Sequence, residues 1–375
     1  MVAFGLIAGA CVTATGQDAS TTPEATSTAP GSPLESVAPS LDTATAEPGL
    51  EASDAPADAT PPTDSATALP ADATPPIDSA TPSPPSIGYI ALDESQWYVR
   101  DISMGVRQAT EAAGLDLVAC DSGGTQAGVL ACAAQLADAG VLGFISMQPF
   151  STLAQEVCTT IGNVPAVGVV YDQGPCQISL LEVDQIESGR LAGAALGALA
   201  AERWECDVKA YVALGSGAGD AIGSARMDGY RAGFREGCKL PKEKRSLADA
   251  QHLITAQTQM SEVLDDVSGK PIIVAGVTDL AVLGALEAAA EDDRQNHVWA
   301  AGQLADPAAR QAIACDQHYV ASVAQFPDRF GELAVPALID AIEGTETPSY
   351  LEAELGLVTS SNVRDLFPDT PACDT

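Results

Sequence analysis

Beyond Ser86 the chain alternates short apolar runs with longer stretches whose apolar residues recur at helical spacing, and this alternation restricts it to a parallel α/β fold. Runs without a polar face belong in a sheet covered on both sides. Strands are predicted at Ile87 to Leu92, Leu115 to Ala119, Leu142 to Ser146, Ala166 to Val170, Leu180 to Val183, Ala210 to Leu214, Ile272 to Ala275, Val298 to Gly302 and Tyr319 to Ala324. Helices are predicted at Val99 to Ala113, Thr125 to Ala139, Ser151 to Ile161, Ser188 to Ala201, Ile222 to Glu236, Thr258 to Val267, Leu280 to Glu291 and Pro327 to Glu343. Right-handed crossovers put helices on both sheet faces and a ligand site beyond the carboxyl ends of the strands. The residues just past those ends are Asp93 to Tyr98, Gln148, Asp172, Gln173, the Gly215 to Ala225 loop with Arg226, Thr278, Asp279, Gln303 and Gln325. Most are planar or hydrogen-bonding, as a site that replaces the water shell of a hydroxylated ligand requires.

Some 290 residues carry this pattern, about the length of two lobes. The remainder, about Val12 to Pro85, is Ala, Thr, Ser, Pro and Asp without one aromatic, so it cannot bury enough surface to offset chain entropy. An imperfect repeat, Ala57 to Thr67 and again Ala71 to Thr81, marks it as low complexity, and we expect an acidic disordered tether over residues 12–85. Before it, the apolar run Val2 to Ala10 ends in Ala8-Gly9-Ala10-Cys11, small residues before a cysteine like the cleavage box of bacterial lipoproteins. The run lacks a basic start, which an upstream start codon would supply, and has Ala8 where Leu or Val is usual. The expectation is a signal peptide over residues 1–11 with Cys11 lipidated, anchoring an extracytoplasmic protein to the outer face of the cell membrane.

Cysteine usage points the same way. Apart from Cys11, eight cysteines remain, and chain neighbourhood suggests the pairs Cys120 to Cys132, Cys158 to Cys176, Cys206 to Cys238 and Cys315 to Cys373. No Cys-x-x-Cys pair exists and the three histidines, His252, His297 and His318, are isolated, so no metal site and no cofactor are expected. A net charge of −34 with no Lys or Arg before Arg100 disfavours nucleic acid as a partner. The Gly215-Ser216-Gly217-Ala218-Gly219 loop lacks dinucleotide-binding spacing, with Ile222 where the third glycine belongs. There is no G-x-S-x-G elbow and no His placed beside a nucleophile, so no enzyme is expected.

Four segments add a resemblance. Glu187-Ser188-Gly189-Arg190-Leu191-Ala192, Ser224-Ala225-Arg226-Met227-Asp228-Gly229-Tyr230, Val277-Thr278-Asp279-Leu280-Ala281-Val282-Leu283-Gly284-Ala285-Leu286 and Val323-Ala324-Gln325-Phe326-Pro327 occur in order within the stretch from Ile87 to about Val358, some 270 residues. In that order and spacing the chain resembles the type I periplasmic sugar-binding proteins of the ribose-binding kind. The resemblance implies two Rossmann-like lobes with parallel sheets and a three-strand hinge: 86–184 plus 326–354, and 185–325 plus 355–375. It implies a small polar, sugar-like ligand closed between them and delivered by a monomer to the membrane permease of an ABC transporter, or, alternatively, a closed form presented to a sensor kinase. By position, Trp97 or Tyr98 would stack on the ligand, Asp172 would accept, Arg226 would donate in bidentate fashion and Gln325 would be the hinge amide. Gln148, Gln173, Thr278 and Asp279 complete the expected set. Three positions depart from the family: Thr278 stands for its Asn, Gln173 for a basic residue, and Gly302-Gln303-Leu304 for its Gly-Phe-Asp turn. Losing that acidic acceptor implies a ligand other than a plain pentose or hexose in the usual pose.

Overall fold

The order of the strands is set by which apolar runs can be buried from both sides. The structure, a computed structural model, describes residues 85–373, all within the compact unit Asp78–Thr375. Cys11, the apolar N-terminal run and the repeats lie outside the described residues.

The first sheet begins with β1 (Ser86–Ala91), β2 (Asp116–Asp121), β3 (Phe144–Ser146), β4 (Ala166–Val169) and β5 (Gln177–Glu182), linked through α1 (Trp97–Ala112), α2 (Gln126–Ala139) and α3 (Ala154–Ile161). Side chains alternate across it. Ile87, Tyr89 and Ala91 of β1 pack with Ile102 and Val106 of α1 on one face, while Ile90 packs with Val129 and Leu136 of α2 on the other. Thr125 caps α2 by accepting from the Gly128 N–H at 3.0 Å, and Gly140 ends it at φ +65°.

The second sheet is built from β6 (Ala210–Leu214), β7 (Glu243–Leu247), β8 (Ile272–Gly276), β9 (Val298–Leu304) and β10 (Tyr319–Ala324), with α4 (Gln185–Trp204) leading in. Between them run α5 (Ala221–Gly237), α6 (Leu253–Asp266), α7 (Asp279–Glu291) and α8 (Pro307–Cys315). The chain then returns through α9 (Phe330–Ile342) to β11 (Tyr350–Glu352), and again through β12 (Gly356–Val358) to the short α10 (Val363–Leu366). The sheet orders are β11-β5-β4-β3-β1-β2 and β12-β10-β9-β8-β6-β7. Every pairing is parallel except β12 against β10. The backbone therefore passes between the sheets three times: β5 to α4, β10 to α9, and β11 to β12.

Three strands escaped the sequence pattern. Strand β7 is a charged edge strand, Glu243-Lys244-Arg245-Ser246-Leu247, and β11 and β12 have only three residues each. Helix α8 is short and opens at Pro307, with Asp306 accepting from the Ala308 N–H at 2.8 Å. Four disulfides join Cys120 to Cys132, Cys158 to Cys176, Cys206 to Cys238 and Cys315 to Cys373, the pairs that chain neighbourhood suggests.

Helices α4 and α5 meet along a glycine seam. A Cβ on Gly189, Gly193 or Gly197 of α4 would collide with the backbone of Arg226, Tyr230 or Phe234 on α5. Gly229 and Gly233 of α5 stand likewise against the carbonyls of Ile186 and Arg190. Only hydrogen at these positions lets the two backbones touch.

Candidate functional site

The carboxyl ends of both sheets face one cavity of about 390 Å³. Leu92, Gln96, Tyr98 and Val99 line it from the β1 to α1 connection, Met147 from the end of β3, and Val170 and Tyr171 from the end of β4. The other wall is Gln185 at the start of α4, Asp220, Ile222 and Arg226 around the start of α5, and Leu304 at the end of β9. Gln325 lines it from the crossing after β10. Two of these residues hold left-handed backbone, Val170 at φ +65° and Leu304 at φ +94°. For a β-branched valine that is a true outlier costing about 1–3 kcal/mol, and such strain gathers at ligand clamps.

Arg226 is 8 % exposed. Its Nε donates to Gln185 Oε1 at 2.8 Å and its Nη1 to the Val277 carbonyl at 3.1 Å, leaving Nη2 without a partner among the described residues. Burial draws the guanidinium below its usual range while Tyr98, Tyr230, Asp220 and Asp279 pull it back up. A buried cation without a carboxylate in direct contact is costly unless something else solvates it. Tyr98 donates its hydroxyl to Gln325 Oε1 at 2.7 Å, and the Gln325 Nε2 is buried with no partner. Asp220 occupies the N-cap position of α5 but makes no side-chain cap bond, so its carboxylate is free to serve the cavity. Tyr98, Arg226 and Gln325 are thus brought together on one cavity.

The remaining residues named from the sequence make other contacts in the structure. Trp97 does not line the cavity: its Nε1 donates to Asp306 Oδ2 at 2.7 Å, which ties α1 of the first sheet's lobe to the residue before α8 in the second. Asp172 is exposed in a turn, where its carboxylate accepts from the Gly174 N–H at 2.6 Å, and Tyr171 takes the cavity position. Gln148 and Gln173 are buried against each other, Gln173 Nε2 donating to the Gln148 carbonyl at 3.1 Å and Gln148 Oε1 accepting from the Phe150 N–H. Thr278 caps α7 through the Ala281 N–H and donates to the Gln251 carbonyl. Asp279 is fully buried: Oδ1 accepts from the Tyr319 and Ser322 hydroxyls at 2.6 and 2.7 Å, and Oδ2 from the Asp306 N–H at 2.7 Å. Burial pushes its carboxyl up to about 7 against those three donors. Gln303 bonds Ser188 of α4 in both directions, leaving Leu304 to face the cavity.

Tyr171 and Gln185 are polar lining residues outside the segments marked from the sequence, while Gln96 and Asp220 fall inside the marked Asp93 to Tyr98 and Gly215 to Ala225 segments without being singled out there. The one available signal was the position of Asp220, just before a helix at the mouth of a strand-end loop, where an uncapped Asp and a capping Asp look alike in sequence. Among the described residues no cluster of three or more His, Cys, Asp or Glu is arranged for a metal ion, and no helix is long and apolar enough to cross a membrane.

Residues 87–346 match the model of a known family, the periplasmic binding protein domain. The chain belongs to that family. This periplasmic binding protein has its two six-stranded sheets and interlobe cavity where a solute-binding protein needs them, and the family is extracytoplasmic, in keeping with four disulfides. Among solved structures it is similar to an ABC transporter solute-binding protein from Mycobacterium smegmatis with bound glycerol, at 21 % identity and a TM-score of 0.63 over 78 % of this chain and 100 % of that one. A solute-binding protein from Actinobacillus succinogenes with bound D-allose gives 15 % identity and 0.62, over 75 % and 99 % of the two chains. The arabinose-transporter component from Shewanella sp. ANA-3, bound to L-arabinofuranose, gives 17 % and 0.61, over 76 % and 95 %. At these identities the likeness is one of fold. No curated protein matches the chain by sequence.

Proposed function

We propose that this protein captures a sugar or sugar-like polyol in the interlobe cavity and delivers it to the permease of an ABC transporter. One observation carries the reading: Arg226 and Asp220 from one lobe, Tyr98 from the other and Gln325 from the crossing converge on a single cavity of about 390 Å³. Arg226 Nη2 and Gln325 Nε2 are the open donors, and Asp220 is the acceptor that hydroxyls require. Beside the polar Gln96, Tyr171 and Gln185, the wall is apolar at Leu92, Val99, Met147, Val170, Ile222 and Leu304, the last standing where the family resemblance would put an acidic acceptor, so the ligand turns an apolar face toward these six. Leu304 in the place of that acceptor suits a deoxy or otherwise less hydroxylated sugar better than a fully hydroxylated hexose. In this reading the lobes are residues 86–184 with 326–354 and residues 185–325 with 355–375, the protein is a monomer, and lipidated Cys11 with the tether of residues 12–85 holds it at the membrane.

A thermal-shift screen over sugars, deoxysugars and polyols tests the proposal, since a ligand of the folded state raises the melting temperature by mass action. The expected result is a saturable rise with one such compound that Arg226→Gln and Asp220→Asn both remove. No rise with any carbohydrate, or a rise indifferent to both variants, defeats it. Loss of metabolic fatty-acid labelling in Cys11→Ser tests the anchor.

A further inference from the structure

A second cavity, of about 330 Å³, lies at the far side of the second lobe, between the C-terminal half of α5 and the edge strand β7. Its walls are Arg231 and Arg235 of α5, one turn apart, and Lys244 and Arg245 of β7, with the Tyr211 ring of β6 beneath them. The placement follows from register: Tyr211 pairs with Lys244 across the parallel ladder, so the two side chains leave the same face of the sheet, the face α5 covers. The Tyr211 ring meets Phe234 of α5 edge-on at 5.5 Å, and the Cys206–Cys238 disulfide pins the end of α5 to the loop before β6.

The charge here runs against the rest of the molecule. The chain carries a net −34, yet six of its seventeen Lys and Arg fall between Arg231 and Arg245, against Glu236 and Glu243 alone. Arg231 is paired with Asp228 at 2.8 Å, and Arg245 with Glu243 at 3.0 Å and Asp266 at 3.8 Å. Arg235 has no carboxylate partner among the described residues, and Lys244 reaches only the carbonyls of Pro241 and Lys242 at 3.4 Å. The second observation is independent of charge. Tyr211 is 2 % exposed, lines this cavity, and its hydroxyl has no hydrogen-bond partner. A buried hydroxyl is ordinarily satisfied, and an orphan beneath unneutralised cations points to a missing acceptor.

We propose that this cavity binds a phosphate group. Donors approach from three sides: guanidinium groups of the helix, the ammonium and guanidinium of the edge strand, and the phenol below. A tetrahedral oxyanion offers oxygens in all three directions, whereas a planar carboxylate offers two in one plane. The site is at the opposite end of β6 from the interlobe cavity and stands without any assumption about the sugar.

The test is calorimetric titration of the folded protein, without sugar, with inorganic phosphate at constant ionic strength. Sedimentation with phosphatidylglycerol vesicles against phosphatidylcholine vesicles forms the second arm. Arg235→Gln with Lys244→Gln should weaken binding at least about tenfold, Tyr211→Phe about threefold to tenfold, and Arg107→Gln on α1 not at all. Response to free phosphate alone assigns a soluble phosphate; response to phosphatidylglycerol with the same variant pattern assigns a lipid headgroup. Absence of both responses, equal weakening by Arg107→Gln, or indifference to the Arg235, Lys244 and Tyr211 variants overturns the site.

Discussion

Replacing Trp97 by phenylalanine isolates one bond that joins the two lobes. A smaller aromatic ring stays beside Tyr98, which the indole meets edge-on at 5.6 Å, but the Nε1–H that donates to Asp306 Oδ2 at 2.7 Å is gone. Asp306 keeps its other oxygen on the Ala308 N–H and stays 8 % exposed, so its freed oxygen is solvated only when the lobes separate. A hydrogen bond to a charged group contributes about 1.5–3 kcal/mol. Because this one exists only while the lobes touch, the whole of it falls on the equilibrium between open and closed forms, about tenfold to 150-fold. Small-angle scattering of the unliganded protein should show a larger radius of gyration for Trp97→Phe, and the dissociation constant of the sugar found by thermal shift should rise by a similar factor. Asp306→Asn, which keeps a neutral acceptor, should move both less, and the double variant should add little to Trp97→Phe alone. An unchanged scattering curve together with an affinity within twofold of the parent would refute the latch.

Asp220→Asn should abolish ligand-induced thermal shift while leaving the unliganded melting temperature within about 2 °C, since the carboxylate makes no cap bond in the fold; a large unliganded loss would give it a structural role instead. Asp279, with a carboxyl raised from 3.8 to about 7 by burial, favours the fold in its protonated form. Its contribution is full below about pH 4 and is lost as pH rises to about 7, about 4 kcal/mol across the window, so urea stability should decline more steeply between pH 4 and 7 in the parent than in Asp279→Asn, and parallel profiles would contradict this. Gly193→Ala drives a methyl into the Tyr230 backbone and should cost about 1–3 kcal/mol in urea unfolding, with no loss if the helices can part freely. Serine at both Cys315 and Cys373 opens a link across 58 positions and should lower stability by about 4 kcal/mol on the chain-entropy model, measured by the same method.

The elements that sequence reveals are those whose burial is two-sided. Val212 of β6 and Val274 of β8 sit in runs with no polar face, and a sheet covered by helices is the only place for them. Strand β7 hides because an edge needs charge more than it needs apolar side chains, and Lys244 and Arg245 read as loop. At the cavity, Arg226 and Gln325 stand in family motifs and line the space, whereas Asp279, in a motif too, and Asp172, at a strand end, turn their carboxylates to other partners. Position places a residue near a cleft without settling where its side chain turns: Asp279 follows the helix start inward to Tyr319, and Asp172 folds back on its own turn. Tyr171, one residue earlier, is the one facing the ligand space.

The bare seam between α4 and α5 has a consequence for how such a protein changes its cargo. Gln185 and Arg226 each sit near the start of one of these helices, and with the two backbones touching there is no slack by which either can shift alone. That half of the binding surface behaves as a fixed jaw, its spacing written into glycines rather than into the contact residues themselves. Retuning toward a bulkier or smaller solute must then come from the opposing loops, through Gln96 and Tyr171, whose side chains stand on connections outside that seam.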